Sequence, residues 1–278
     1  MTRPRSPVIA VCNQKGGVAK TTTTAALAQA AADTGCRVLV IDLDPQGNLT
    51  TMMLDGPPTA VGAYGMTVDP DRVAGATFPE DAVQPTSAAW SPRIDISPGG
   101  PELVEVDRDT NHEQVGRLRR VLHGKDERGR LDGYDVILLD CPPGLGRLLV
   151  GGLRAADSAL LVTEPSAASV AGLGQIGNTI ASLHRSFETT APQVAAVLVG
   201  RYRACLEHDY RLAEIRRTYG PLVLAGHVPE RAAVADAASA WRPVQSLTSP
   251  GARAVTDVVA RMWAELAARL DIRAEVPA

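Results

Sequence analysis

Two kinds of hydrophobic pattern divide most of the chain into predicted strands and helices. Short runs rich in Val, Ile and Leu predict strands that are buried on both faces, as in a parallel sheet. Longer stretches with apolar residues three and four positions apart predict amphipathic helices. The predicted strands are 7–13, 37–42, 94–97, 135–140, 158–163, 194–200 and 222–228, and the predicted helices are 21–34, 112–124, 147–156, 168–187, 208–219 and 251–270.

The alternation of strands with helices predicts an α/β fold: a mostly parallel, twisted sheet with helices on both faces. A length of 278 residues suits one such domain with a sizeable core. We therefore expect a single domain over residues 1–278, with flexible ends at 1–6 and 271–278. The stretch 55–101, rich in Pro, Gly, Ala and Thr, is interpreted as an elaborated connection, and 124–130 as a solvated loop.

The composition is that of a soluble globular protein, with 45% hydrophobic residues and a net charge of −3. No run of 18 apolar residues predicts a membrane span. The first strand follows a very short N-terminal segment, which argues against a secretory signal and against an additional N-terminal helix-turn-helix domain. The four cysteines, which show no C-x-x-C spacing, are interpreted as small buried residues in a reducing cytosol: Cys12, Cys36, Cys141 and Cys205.

Lysine is rare in this chain, and its placement is informative. Of the 28 basic residues only three are lysines, and two of these, Lys15 and Lys20, lie in one short glycine-containing segment. The segment follows a predicted strand, contains Gly16 and Gly17, and leads through Thr21 into a predicted helix. A strand, a glycine turn with lysine and a Ser/Thr at a helix start are typical of a phosphate-binding loop.

The expected chemistry of this loop follows from its residue types. Lys20 is expected to reach the β and γ phosphates of a nucleotide, and the Thr21 hydroxyl to ligate the Mg²⁺ that bridges them. Gln14 and Ala19 occupy the glycine positions of the standard G-x-x-x-x-G-K-[ST] pattern, so the loop is a deviant P-loop. If the backbone at Ala19 needs a positive φ, alanine there costs about 1 kcal/mol.

Four segments together resemble the ParA family of partition ATPases, with similarity from about residue 7 to about residue 270 and weakest between 55 and 110. The resemblance is carried by Asn13–Thr22, by Asp42–Asn48, by Tyr134–Pro143, and by His227–Glu230 with Arg242–Val244 downstream.

The resemblance implies an Mg²⁺-dependent ATP hydrolase with assigned roles for several residues. Asp140 would hold Mg²⁺ through a water, Asp42 would bond to the Mg²⁺ shell, and Asp44 would position or deprotonate the attacking water. Lys15 resembles the lysine that reaches the partner's nucleotide in an ATP-bound dimer. The expected nucleotide-binding residues are Lys15, Gly16, Gly17, Val18, Ala19, Lys20, Thr21, Thr22, Pro229 and Glu230; the expected metal-site residues are Thr21, Asp42 and Asp140; and the expected catalytic residues are Lys15, Lys20 and Asp44.

The same resemblance implies a set of partners and a location. A ParA-type protein forms an ATP-dependent homodimer, binds duplex DNA without sequence preference, is stimulated by a ParB-like adaptor, and partitions a plasmid or chromosome in the cytoplasm on the nucleoid. Expected DNA contacts are Arg201, Arg203, Arg231 and Arg242, whereas Ala233 stands where relatives carry an arginine.

Three other functions are compatible with this type of fold. A MinD-like, membrane-cycling ATPase would need a basic amphipathic helix, but the predicted helix 251–270 lacks a net basic face and is expected to pack on the sheet. A reductase of the nitrogenase iron-protein type would need paired cysteines, and only Cys141 is suitably placed. A ParA-like protein that positions a protein cargo remains an alternative.

Overall fold

The computed structural model describes residues 5–67, 79–109, 111, 114–123, 131 and 133–274. A seven-stranded sheet forms the centre of this part of the chain, with the strand order β3-β4-β2-β5-β1-β6-β7. All neighbours pair in parallel except β3 and β4, which are antiparallel. The strands are β1 Val8–Cys12, β2 Val38–Asp42, β3 Gln84–Pro85, β4 Ile94–Ser97, β5 Val136–Asp140, β6 Ser158–Thr163 and β7 Gln193–Val199.

Helices cover both faces of this sheet, which confirms the predicted α/β class. Residues of β1 alternate between two core layers: Val8 and Ala10 belong to one, Ile9 and Val11 to the other. The described helices are α1 Lys20–Asp33, α2 Asn48–Met53, α3 Gly62–Thr67, α4 Leu103–Arg108, α5 Arg117–Leu122, α6 Arg147–Ala155, α7 Ala167–Phe187, α8 Leu206–Tyr219, α9 Ala232–Ser239 and α10 Pro250–Arg269.

The C-terminal helix α10 packs in the core layer that contains α1, as its amphipathic pattern predicts. Val259 and Trp263 are buried, and the Trp263 indole donates a hydrogen bond to the Thr34 hydroxyl at 3.2 Å. The apolar face of α10 is therefore occupied by the protein's own core. No helix in the described ranges combines the length and hydrophobicity needed to cross a bilayer.

The predicted strand 222–228 is wrong. Val223 forms one isolated bridge to Val197. The Leu224 N–H donates to the Val197 carbonyl at 2.9 Å and the Val228 N–H to the Val199 carbonyl at 2.8 Å, so four residues of this run stand against two residues of β7. The run therefore bulges between these two contacts and forms no continuous ladder with the sheet edge. The predicted helix 112–124 is also shorter than expected, since α5 is preceded by a 3-10 turn at Gln114–Gly116, and residues 112, 113 and 124 lie outside the described ranges.

The segment interpreted as a connection, 55–101, contains α3, β3 and the predicted strand β4, while residues 68–78 of it lie outside the described ranges. The predicted loop 124–130 also lies outside them. Near the termini, the Ser6 hydroxyl bonds to the carbonyl of Tyr134 at 2.6 Å, and Ile272 is buried. Residues 1–4 and 275–278 are not among those described. Three cysteines are buried as expected, but Cys205 is exposed just before α8 because it packs against no core layer.

Candidate functional site

The loop between β1 and α1 has the backbone conformation that an anion-binding turn requires. Gly17 has φ +78°, and a Cβ there would meet nothing within 4 Å, so the space in front of the loop is open. Ala19 has φ 66° and ψ 32° immediately before α1 begins at Lys20. A non-glycine residue in this region costs about 1 kcal/mol. The positive φ considered for Ala19 from sequence is therefore present.

Lys20 lies at the base of the loop and is largely buried, with 7% of its surface exposed. Its ammonium donates a hydrogen bond to the carbonyl of Lys15 at 3.2 Å, so the side chain curls back beneath the loop. Burial lowers the pKa of Lys20, while the nearby carboxylate of Asp140 acts in the opposite direction. A partly desolvated ammonium beneath open backbone amides is well placed to attract phosphate oxygens.

Two buried carboxylates lie side by side at the carboxyl ends of neighbouring strands. The β2–β5 register pairs Asp42 with Asp140, and both are almost fully buried. Burial, followed for Asp140 by the charge of Asp42, raises the pKa of both groups. Such a pair favours a cation beside it, because a positive charge offsets the repulsion between two carboxylates.

The two carboxylates differ in how their oxygens are occupied. Asp140 Oδ1 accepts a hydrogen bond from the Thr24 hydroxyl at 3.1 Å, whereas Oδ2 is buried without a hydrogen-bond partner among the described residues. A buried carboxylate oxygen of this kind needs a donor or a cation. The Thr21 hydroxyl also lies close enough to lower the pKa of Asp140. These residues therefore fit an Mg²⁺ ion with its water shell.

Asp42 is committed to the protein itself. Its Oδ2 accepts hydrogen bonds from the backbone and hydroxyl of Thr50 at 2.9 and 2.8 Å, and its Oδ1 accepts one from the backbone N–H of Asp44 at 3.1 Å. A Cβ on Gly99 would lie 2.5 Å from the Asp42 carbonyl oxygen, so only glycine fits against this turn. Asp42 thus holds the turn that carries Asp44, and its predicted contact with the Mg²⁺ shell stays a prediction.

Asp44 borders the pocket in front of the loop. Its Oδ1 accepts a hydrogen bond from the Gln46 backbone at 2.9 Å, which fixes the carboxylate at the start of the turn before α2. The pocket has a volume of about 510 Å³ and is lined by Lys20, Thr21 and Thr22 as well as Asp44. Lys20, Thr21, Thr22 and Asp44 therefore open on one cavity, whereas Lys15, Asp42 and Asp140 are not among its lining residues.

A second pocket of about 440 Å³ adjoins the first and has a mainly apolar lining. The two share Gly17, Ala19, Thr22 and Ala238. Pro229 and Glu230 line the second pocket, and their predicted place beside a base stays a prediction. Together the cavities offer a polar end for phosphates and an apolar end for a flat ring. Val18 of the loop is fully buried.

Lys15 is held by an acid of its own chain, Glu164. Its ammonium donates to Glu164 Oε1 at 2.6 Å, and Glu164 Oε2 accepts from Arg201 at 3.2 Å. Arg201 also bonds to Glu230 Oε1 at 3.2 Å, and Arg203 bonds to the other oxygen of Glu230. We call these five residues the charge network.

The four arginines predicted to contact DNA occupy different surroundings. Arg201 and Arg203 belong to the charge network, and Arg231 donates to the Glu230 carbonyl at 3.1 Å beside it. Arg242 borders a separate small depression with Trp90 and Met52. Arg201, Arg203 and Arg231 thus lie together around Glu230, whereas Arg242 lies beside other residues.

Several residues of the site were missed from sequence. Glu164 directly follows β6, just as Asp140 ends β5, so its place after a predicted strand was an available signal. Thr24 and Thr50 bond to the buried carboxylates, but a threonine within a helix gives no such indication in the sequence. Trp241 also lines the polar pocket, although it belongs to none of the segments that carry the family resemblance.

Comparison with known proteins identifies the family. A profile described as an AAA domain matches residues 6–192. The chromosome partitioning protein ParA of Caulobacter vibrioides strain NA1000 / CB15N is 31% identical over 239 residues, which are 85% of this chain and 85% of that protein. The chain belongs to the ParA family.

Two further similar proteins are a longer relative and a solved structure with bound nucleotide. A putative replication protein A of Rhizobium rhizogenes is 37% identical over 191 residues, or 65% of this chain, and the match spans only 46% of that relative. A solved structure of cobyrinic acid a,c-diamide synthase from Mycobacterium smegmatis, with bound ADP and magnesium, superimposes with a TM-score of 0.73. Its identity is 27%, and the match covers 98% of this chain and 100% of that one. The ParA-family chain thus has a P-loop NTPase fold.

Proposed function

We propose that this protein is an ATP hydrolase of the DNA-partitioning type, which uses ATP and Mg²⁺. The observation that carries the proposal is the convergence of Lys20, Thr21 and Asp44 on one 510 Å³ pocket beside the buried, unpartnered oxygen of Asp140. A phosphate-binding loop alone would support only binding. A carboxylate fixed at the open side of the same pocket adds a group that can act on water.

The shapes of the two cavities support one orientation of the nucleotide. The phosphates would lie over the loop amides and the Lys20 ammonium, and the base would enter the apolar pocket beside Pro229. Asp140 and Thr21 would hold Mg²⁺, which supplies charge neutralisation at the β and γ phosphates when bound. The bound ADP and magnesium in the similar synthase structure support this pair of ligands.

Asp44 would orient and deprotonate the attacking water. Its carboxylate is anchored by the Gln46 backbone, and its own backbone is anchored by Asp42. Both anchors come from short turns between buried elements, so little reorganisation is needed when substrate binds. Lys15 would stabilise charge on the nucleotide of a second subunit, in the manner of an arginine finger.

The wider cycle is also part of the proposal. An ATP-bound homodimer would bind duplex DNA on the nucleoid through Arg201, Arg203, Arg231 and Arg242, and a ParB-like adaptor would stimulate hydrolysis. The ParA of Caulobacter, similar over 85% of this chain, supports a role in partitioning a chromosome or plasmid. The burial of the apolar face of α10 gives no support to a membrane-cycling role for that helix.

The deciding experiment compares wild type with Lys15→Gln. Wild type should hydrolyse ATP and form a dimer with ATP but not with ADP, measured by phosphate release and by sedimentation. Lys15→Gln should bind ADP nearly as well, because Lys20 and the loop amides remain, but should lose ATP-driven dimerisation. Loss of ADP binding would show that Lys15 acts within its own subunit, and wild type without any ATPase activity would overturn the proposal.

A further inference from the structure

The ammonium of Lys15 is engaged within its own subunit. It lies 2.6 Å from Glu164 Oε1 and 3.4 Å from the Ser166 hydroxyl, at the start of α7. The Lys15 side chain is about one-third exposed and that of Glu164 is 16% exposed, so this pair is more shielded than a typical surface ion pair. Its hydrogen bond joins two charged groups and is correspondingly strong.

The position of the Lys15 side chain is also fixed from the backbone side. The buried amide of Asn13 bonds through Oδ1 to the Lys15 N–H at 2.9 Å and through Nδ2 to the Val162 carbonyl at 2.7 Å. A Cβ on Gly172 would come within 2.8 Å of the same Asn13 oxygen. The start of the loop is therefore held next to the end of β6, where Glu164 lies.

Glu164 is in turn held by a second cation. Arg201 reaches Glu164 Oε2 at 3.2 Å and also donates to the Gly17 carbonyl of the phosphate loop at 2.8 Å. Its backbone has φ 50°, an unfavourable conformation for a side-chain-bearing residue that surrounding contacts must maintain. Partial burial acts to raise the pKa of Glu164, but Lys15 and Arg201 outweigh it and hold that pKa below its ordinary value.

We propose that Glu164 is a positioning residue that restrains Lys15 in cis and so sets how readily a second copy of this chain can dimerise on ATP. The inference rests on the proposed function, in which Lys15 must extend to the partner's nucleotide. The Lys15 ammonium donates to Glu164 and Ser166 of its own subunit, and in the proposed dimer its side chain would turn away from Glu164 to reach the partner's nucleotide. Dimerisation therefore includes the cost of breaking one Lys15–Glu164 contact in each subunit.

Arg201 makes this exchange practicable. When Lys15 leaves, Glu164 keeps one cation, so no carboxylate is left without a partner. The charge network holds three cations and two carboxylates, and the departure of Lys15 leaves it balanced. The arrangement thus restrains the monomer without making the dimer prohibitively unstable.

The test is Glu164→Gln, which keeps the side-chain shape and a hydrogen-bond acceptor but removes the charge. The measured quantity is the monomer–dimer Kd by sedimentation, with a non-hydrolysable ATP analogue, Mg²⁺ and no DNA. A partly exposed ion pair corresponds to a factor of up to about 5, and two such contacts per dimer give a Kd up to about 25-fold lower in the variant. The difference should shrink as NaCl rises from about 0.05 to about 0.5 M.

A matched control is Glu207→Gln, which removes an exposed carboxylate paired with Arg211 on α8 and should leave the Kd unchanged. Glu164→Asp serves if the Gln variant folds poorly, because the shorter acid keeps the charge but loosens the contact, and it should give an intermediate Kd. An unchanged or weaker dimer in both variants would overturn the proposal while the proposed function stands. A wild type that never dimerises with the analogue would overturn the proposed function first.

Discussion

The hydroxyl of Thr24 lies 3.1 Å from Oδ1 of Asp140 and 3.1 Å from the Lys20 carbonyl, and its single proton is shared between these two acceptors. This contact joins the first turns of α1 to the end of β5, beneath the phosphate loop. It also leaves Oδ2 as the oxygen of Asp140 that is open to a cation. The threonine thus occupies one oxygen of this buried carboxylate and leaves the other without a partner among the described residues.

Replacing Thr24 with Val should destabilise the protein, because it leaves a buried carboxylate oxygen without its donor at almost unchanged side-chain volume. The free energy of unfolding should fall by about 1–3 kcal/mol, measured by urea denaturation. Thr179→Val is the matched control, since Thr179 bonds only to a carbonyl of its own helix on the surface. Equal losses in the two variants would mean that the contact with Asp140 contributes nothing.

Asp44→Ala should retain ATP binding and lose hydrolysis, because the attacking water loses its acceptor while the loop amides and Lys20 remain. Turnover should fall by a factor of about 10²–10⁴. A phosphate-release assay measures the rate, and light scattering should show that ATP-bound dimers accumulate. Wild-type turnover in this variant would remove Asp44 from the mechanism.

Ala19→Gly should raise the free energy of unfolding by up to about 1 kcal/mol, because glycine adopts a φ of 66° without the Cβ penalty. Ala19→Val should act in the opposite direction, since a β-branched side chain is disfavoured there. Thermal or urea unfolding of both variants beside wild type measures the effect. If glycine destabilises the loop as much as valine does, the strain assigned to Ala19 is not present in solution.

The double variant Arg201→Ala and Arg203→Ala should weaken ATP-dependent binding of arbitrary duplex DNA by at least about tenfold and reduce its salt dependence. The reason is that a dimer would lose four guanidinium groups, a neighbouring pair in each subunit. Gel shifts or fluorescence anisotropy across a salt series measure the effect.

The control for this experiment is a double variant that removes two arginines near the C-terminus, Arg261 and Arg273. If that variant loses as much affinity for DNA, the effect is one of overall charge and the assigned contacts are wrong. Binding that is equal in ATP and ADP would contradict the proposed dependence on dimerisation.

A thiol reagent should modify one cysteine of the native protein at neutral pH. Cys205 is exposed, whereas burial raises the pKa of Cys12 to about 12 and that of Cys141 well above its ordinary value. Buried neutral thiols react slowly. Mass spectrometry of the intact labelled protein should show a single adduct, which Cys205→Ser abolishes; a second fast adduct would contradict this burial.

The sequence predicts the strands that hold the site because they are buried on both faces and end in polar residues. β5 runs from Val136 to Asp140, within one residue of its predicted bounds. The same reasoning fails for 222–228, because an apolar run next to a sheet edge has the same pattern as a strand. The difference lies in the hydrogen bonds of Leu224 and Val228 to Val197 and Val199, whose spacing does not fit a continuous ladder.

The candidate site likewise contains some residues that the sequence predicts and others that it does not. Loop residues such as Lys20 are predictable because their chemistry depends on neighbours in sequence. The place of Glu164 after β6 is visible in the sequence, but its role is not, because that role depends on Lys15 and Arg201, which lie 149 and 37 positions away in the chain. The positive φ of Arg201 likewise arises from contacts that no local pattern specifies.

The central place of β1 in the sheet, between β5 and β6, has a consequence for how the protein responds to a ligand. Amide protons of Ile9 and Val11 lie in a strand paired on both sides, so they should exchange with solvent only when the whole domain unfolds. Beyond the end of the edge strand β7, the backbone beside Arg201 is paired on one side only, through an isolated bridge between Tyr202 and Pro229. Hydrogen exchange should therefore show nucleotide-dependent protection at this margin while the strand that carries the loop stays equally protected throughout.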